Sequence, residues 1–245
     1  QVAQVEVAVQ QVGGDSVGEP VVGVGDGAGG AEVALRESGG HPVAGRQPVE
    51  VAPQVLGARE LLAVPAGERH GDVVEAGDEP QYAAVAATIG REFGRLDGLA
   101  HCAAFAPFLS RIDDYDASEW ERVLRINLTA PFLLTQACLP LLRQAPDAAI
   151  VFTADRVGRQ GLAYWGAFAA AKFGIEGLMQ TLAEETRDQG QVRVNSLDPG
   201  IVRPGLRARL YPGENPADLA APESITSRYL YLLGPASRMV TGHAL

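Results

Sequence analysis

Residues 164–179, YWGAFAAAKFGIEGLM, hold the chain's single lysine, Lys172, in an otherwise apolar stretch at helical spacing. A residue four positions before a helical lysine lies on the same face, one turn away and within reach of its ammonium. That neighbour is Phe168, and Tyr164 stands one further turn back. Proton transfer to a reacting oxygen needs a positioned side chain that carries a proton. Phe168 has none. Tyr164 has one, but sits where the helix begins or in the loop before it; the simpler reading is an aromatic lining a mouth. A lone lysine, taken by itself, is an ordinary helix-surface charge. Asp155 lies upstream, and an Asp155–Lys172 ion pair is expected if the two side chains meet. The thiol of Cys102 directly follows His101. Successive side chains of a strand point to opposite faces, so the pair does not make a thiol–imidazole nucleophile. Cys102 therefore reads as a buried structural thiol.

The elements that must position these groups are legible from Tyr82 onward. Residues 81–94 have helical periodicity and stop at Gly94. Residues 96–104, LDGLAHCAA, are a short apolar run suited to a buried strand. Residues 116–144 form a long helix, with Ser118 as N-cap and Glu121 completing a capping box. Pro131 and Pro140 should bend or split it. DAAIVFTA, residues 147–154, is the next strand. Residues 166–190 form a second long helix ending at Gly190, and VRVNSLDPG, residues 192–200, is a strand stopped by Pro199 and Gly200. Alternating strands and helices at this spacing predict a parallel sheet with helices on both faces.

Bulk properties narrow the function. The 245 residues allow one large domain, and we read the chain as a single one. The formal net charge of −10 argues against nucleic acid and anionic membrane surfaces as partners. Two cysteines make no disulfide framework, which favours a cytoplasmic location. No apolar run reaches the ~18 residues of a membrane span, and the N-terminus lacks the basic start and apolar run of a signal peptide.

Taken together, VFTADRVGRQGLAYWGAFAAAKFGIEGLMQ, VRVNSLDPG, LDGLAHCAA, the INL within the first long helix and the closing VTGHAL resemble the short-chain dehydrogenases/reductases. The resemblance covers residues 82–245, and VGRQGxxxWGA is similar to a bacterial branch of that family. It implies a Rossmann-type doubly wound α/β sheet, a nicotinamide cofactor and hydride transfer at a carbonyl or alcohol carbon. In the family a tyrosine donates the proton, and a lysine four residues on lowers its pKa and holds the nicotinamide ribose. A serine thirteen residues before the tyrosine binds the substrate oxygen, and an asparagine holds a water of the proton relay. Lys172 and Asn127 match the lysine and the asparagine. Phe168 stands at the tyrosine and Asp155 at the serine, where a carboxylate repels an oxyanion unless it is protonated. Cys102 and Ala104 stand where asparagine and glycine support the cofactor. Pro199 and Gly200 keep the family pattern after Asp198, but Val202 and Pro204 replace threonines that contact the carboxamide.

The first third is unlike the rest. No Ile, Phe, Tyr, Trp, Met, Lys, Asn, Thr or Cys occurs before Gln81. Three readings stand: a diverged folded half, a Gly-rich flexible segment, or a stretch from a disturbed reading frame. Gly23, Gly27 and Gly29, after Val21 and Val22, have the Gly-x-x-x-Gly-x-Gly spacing with which the family lets backbone approach a pyrophosphate. Arg46, at the end of a second strand, would favour NADP over NAD, and Asp72 stands for the residue contacting adenine. Weak Val-rich strands are expected near 21–22, 43–44 and 61–64, with proteolysis starting within or beside 10–20 and 65–80. The chain starts on Gln1 rather than Met and stops inside what should be the last strand, so a fragment is one reading. The resemblance further implies a homodimer or homotetramer built on the two long helices. Two outcomes compete: an active, NADP-preferring oxidoreductase on a small carbonyl or alcohol, or a descendant that has lost catalysis.

Overall fold

The computed structural model describes residues 3–8, 21–22, 60–62, 79–203 and 205–245. Six strands among them form one sheet. β4 (Gly98–His101), β5 (Ala148–Thr153) and β6 (Val192–Leu197) run parallel, and β1 (Ala3–Ala8) continues the parallel array on the free side of β4. The far edge of β1 carries β2 (Val21–Val22), antiparallel, and β3 (Glu60–Leu62), parallel. Every residue of β4 and β6 is buried, as expected for strands covered on both faces. Beyond β6, His243 and Leu245 exchange main-chain hydrogen bonds with Ser196 at 3.0 Å each, so the final residues start one further parallel strand.

The described helices are α1 (Glu79–Phe93), α2 (Ala117–Leu124), α3 (Ala130–Leu142), α4 (Gly166–Arg187), α5 (Gly205–Leu210) and α6 (Thr226–Leu233). Period-2 alternation along β5 sorts its residues between two cores. Ile150 and Phe152 face α1, α3 and α4, through Ile89, Leu134, Ile175 and Met179. Ala149 and Val151 face Leu232 and Leu233 of α6 on the opposite side. The sheet is thus a Rossmann-type parallel array with helices on both faces.

Four expectations need correcting. The N-cap of α2 is Asp116, whose carboxylate accepts from the backbone N–H groups of Ser118 and Glu119; Ser118 lies inside the first turn, where its own N–H is one of the amides to be capped. The long helix splits before Pro131 rather than at Pro140. A π-helical turn, Arg125–Thr129, separates α2 from α3, and the N–H of Ala130 reaches back to the Arg125 oxygen. Proline at 131 has no N–H with which to continue an α-helical ladder through Asn127. β1 was not foreseen, although the alternation Gln4-Val5-Glu6-Val7 is a strand signal. β2 runs against its neighbour, whereas the strand leading into a family glycine loop is parallel to the rest of the sheet. Gly23, Gly27, Gly29, Arg46, Asp72 and the strand expected at 43–44 lie outside the described residues.

Candidate active site

Parallel strands end together, and their carboxyl ends bring three loops to one place: 102–110 after β4, 154–165 after β5 and 198–203 after β6. Loops at this edge of an open α/β sheet are where ligands bind. α4 delivers Phe168 and Lys172 to the same edge, on one helix face.

Lys172 is 2 % exposed, and its Nζ donates to the main-chain oxygen of Thr153 at 2.8 Å. It also lies 5.4 Å from the centre of the Phe168 ring, a cation–π contact. Burial pushes the ammonium down to about 8, partly offset by the negative field of Asp155. The close approach of α4 to the loop after β5 requires glycine at 158: a Cβ there would sit 2.7 Å from Cβ of Lys172 and 2.8 Å from its backbone.

The expected Asp155–Lys172 ion pair does not form. The carboxylate of Asp155 instead caps the 3-10 turn Arg156–Gly158, Oδ1 accepting the N–H of Val157 at 2.9 Å, while Lys172 turns to the strand end. The two groups still feel each other's charge. Burial raises the proton affinity of Asp155, against the Val157 hydrogen bond and the attraction of Lys172.

Phe168 is 4 % exposed and fills a cluster with Phe105, Val123, Ile126 and Val157. Its ring leans on Trp165 at 5.5 Å, which in turn leans on Tyr211 at 6.3 Å. Packing at this position is therefore complete without a hydroxyl. Tyr164 is exposed and holds φ +74°, a left-handed conformation unfavourable for a tyrosine, and its carbonyl accepts the N–H of Ser110 at 3.1 Å.

Asn127 sits inside the π-turn, 1 % exposed. Its amide donates to the oxygens of Phe105 at 2.7 Å and Val123 at 2.8 Å, and accepts from the N–H of Phe105 at 3.0 Å. Both donors are spent on pinning the loop after β4 to the helix, a role that sequence reasoning missed. His101 does point away from Cys102, into the core: Nε2 is 2.8 Å from Oγ1 of Thr135, and the ring stacks on Phe152 at 4.7 Å. Cys102 is half-buried rather than buried, because it is the first residue past the strand end. Asp198 accepts the N–H of Gly200 at 2.8 Å, and Gly200 takes φ +74°, the left-handed value that favours glycine.

The chemistry of this donor set suits the sugar end of a nicotinamide nucleotide. An ammonium has three protons. The bond to Thr153 uses one, leaving two for neighbouring hydroxyls of a bound ligand. Among the described residues no helix is long and apolar enough to cross a membrane.

Comparison with known proteins agrees with this architecture. A family model described as short chain dehydrogenase matches residues 21–215. The chain is 42% identical over 158 residues to the uncharacterized oxidoreductase YciK of Escherichia coli K12, a match covering 64% of this chain. A short chain dehydrogenase structure from Pseudomonas syringae superposes with a TM-score of 0.68 at 42% identity, covering 80% of this chain and 78% of that one. Another, from Escherichia coli CFT073 and complexed with NADPH, gives a TM-score of 0.66 at 40% identity, covering 68% of this chain and 69% of that one. The match to YciK spans 62% of that protein's own length.

Proposed function

Because the chain belongs to the short-chain dehydrogenase family, we propose that it acts as a nicotinamide-dependent oxidoreductase, with NADP preferred, on a carbonyl or alcohol carbon of a small molecule. The observation carrying this reading is Lys172: a buried ammonium at the carboxyl edge of the sheet, anchored by one bond to Thr153 with two protons left over. Burying an ammonium is unfavourable unless it is paired or hydrogen-bonded, and Thr153 takes one of its three protons. The cofactor, when bound, supplies the hydride. Lys172 holds its ribose hydroxyls, and the turn 198–200 shapes the pocket floor beside them. NADP is supported by the NADPH complex of the relative from Escherichia coli CFT073.

The proton is the weak point of the site. Phe168 has no group to donate, and loss of a positioned general acid costs about 10²–10⁴ in rate. A second reading, a family member that has lost catalysis and binds nucleotide weakly or not at all, is favoured specifically by Phe168 and its complete apolar packing. Only the oxidoreductase reading requires the nucleotide. Titration of the purified chain with NADPH, followed by nucleotide fluorescence, should give a dissociation constant in the micromolar range, and tighter for NADPH than for NADH. No binding up to millimolar concentrations would end the oxidoreductase reading.

Assembly belongs to the same proposal. Phe132 of α3 and Phe173 of α4 are 43 % and 47 % exposed, on the two long helices that the family resemblance makes the dimer face. We take a homodimer, or a tetramer built from it, as the working state.

A further inference from the structure

Glu176 stands one helical turn past Lys172 on the same face of α4, and it is buried. Both oxygens of its carboxylate are engaged. Oε1 accepts from Nε of Arg159 at 2.8 Å, an ion pair with the loop after β5. Oε2 accepts from the hydroxyl of Ser196 at 2.6 Å, on β6. Arg159 gives a second nitrogen to the main-chain oxygen of Leu245 at 3.1 Å. One buried carboxylate thus joins four segments: α4, the loop after β5, the carboxyl half of β6 and the final residues beside it. Replacing a buried ion pair by well-packed apolar side chains is often neutral for stability, so stability alone does not call for a charge here.

The place of this network explains the charge. Arg159 directly follows Gly158, and Gly158 is where the loop lies on the Cβ and backbone of Lys172. The turn Arg156–Gly158 that ends there is the one capped by Asp155. Drawing Arg159 onto α4 one turn beyond Lys172 presses that turn down over the lysine, while the Ser196 arm fixes the same stretch of helix to the sheet. We propose that Glu176 is the positioning residue of this site: it clamps the turn Arg156–Gly158 over Lys172 and so keeps the ammonium buried at the end of β5. Other groups face Lys172 from each neighbouring element: Cys102 from the loop after β4, Asp155 from the loop after β5 and Asp198 from the loop after β6. His101 of β4 feels its charge in turn. None of these ties the loop to α4 as Glu176 does. That Lys172 holds a cofactor ribose rests on the oxidoreductase reading; its positioning by Glu176 does not.

Lys172 is the chain's single lysine, so the full chain isotope-labelled at lysine Cε gives one lysine NMR resonance, which reports this ammonium without nucleotide or turnover. Its titration midpoint in the unmodified chain should be about 8. Glu176→Gln keeps the side-chain volume but removes an anion, which through its field alone would lower the midpoint further. Loss of the clamp acts in the opposite direction, because an ammonium released to water returns toward 10.5. The expected result is a rise to about 9 or above. Ser196→Ala cuts one arm of the network and changes no charge; it should move the midpoint the same way by less, and it decides the question if Glu176→Gln does not fold. Asp147→Asn breaks the buried ion pair with Arg193 at the opposite end of the sheet, and should leave the midpoint where it was although it too destabilises the chain. A midpoint that stays or falls in Glu176→Gln, an equal rise in Asp147→Asn, or a midpoint near 10.5 in the unmodified chain overturns the proposal. NADPH binding by the unmodified chain with Lys172 unmoved in the variants removes the positioning role alone; a moved Lys172 in a chain that binds no NADPH removes the oxidoreductase reading alone.

Discussion

On the proposed oxidoreductase reading, two side chains decide how much chemistry the site can do: Phe168 has no proton to give, and Asp155 sets a carboxylate at the position where the family resemblance puts a serine. Both would then act on one oxygen, so their repair is non-additive. Phe168→Tyr with Asp155→Ser should raise NADPH-linked reduction of a carbonyl panel well above either single change, and at least about 10²-fold above the unmodified chain. Equal rates in the unmodified chain and the double variant would show that these residues are not where the chemistry happens. His101 carries a different prediction. Burial, aided by the charge of Lys172, lowers its pKa from 6.5 to about 3. Between those values the unfolded chain binds a proton that the folded chain refuses, so stability is lost as pH falls from 6.5 toward 3 and is fully present above 6.5. The loss is about 1.4 kcal/mol per pH unit. Urea unfolding should show a shallower acid slope in His101→Gln, which keeps a polar partner for Thr135 but does not titrate in this range.

At the scale of elements, the π-turn Arg125–Thr129 and the glycine at 158 set the geometry of the site. The extra residue of the π-turn brings Asn127 inward, where it ties the loop after β4 to α2. Glycine at 158 lets the loop after β5 lie directly on α4 at Lys172. A methyl group there has nowhere to go, because two of the three nearest atoms are backbone. Gly158→Ala should cost about 1–3 kcal/mol in urea unfolding, the range for overpacking a filled core. It should also weaken NADPH by displacing Lys172, a change that destabilisation alone would not cause at temperatures where the variant remains folded.

Across the described residues, two cores flank one mostly parallel sheet, and Phe132 on α3 and Phe173 on α4 stay exposed. The proposed assembly would cover these side chains with a second copy. Light scattering at tens of micromolar should report a dimer or tetramer. Phe132→Asp with Phe173→Asp should shift it toward monomer while leaving the far-ultraviolet circular dichroism unchanged. A monomeric unmodified chain would remove the assembly from the proposed function.

By its own pattern, the sequence was enough for five elements between residues 79 and 197, but not for α5, α6 or the break between α2 and α3. Hydrophobic periodicity and glycine stops located α1, β4, β5, α4 and β6 within a few residues, because these elements are long, apolar and sharply ended. It also made Lys172 stand out, as the chain's single lysine in an apolar helix. Tertiary structure decided the rest. Whether Asp155 meets Lys172 depends on competition from the Val157 N–H and the Thr153 carbonyl, which are close in space only after the strand end and helix are packed. The same holds for Asn127, whose partner at Phe105 lies 22 residues away. The first strand went unseen because six residues of alternating pattern are marginal alone and become a strand through pairing with β4. Local periodicity is written in the chain; which polar group satisfies which is settled only when distant segments compete for the same hydrogen bonds.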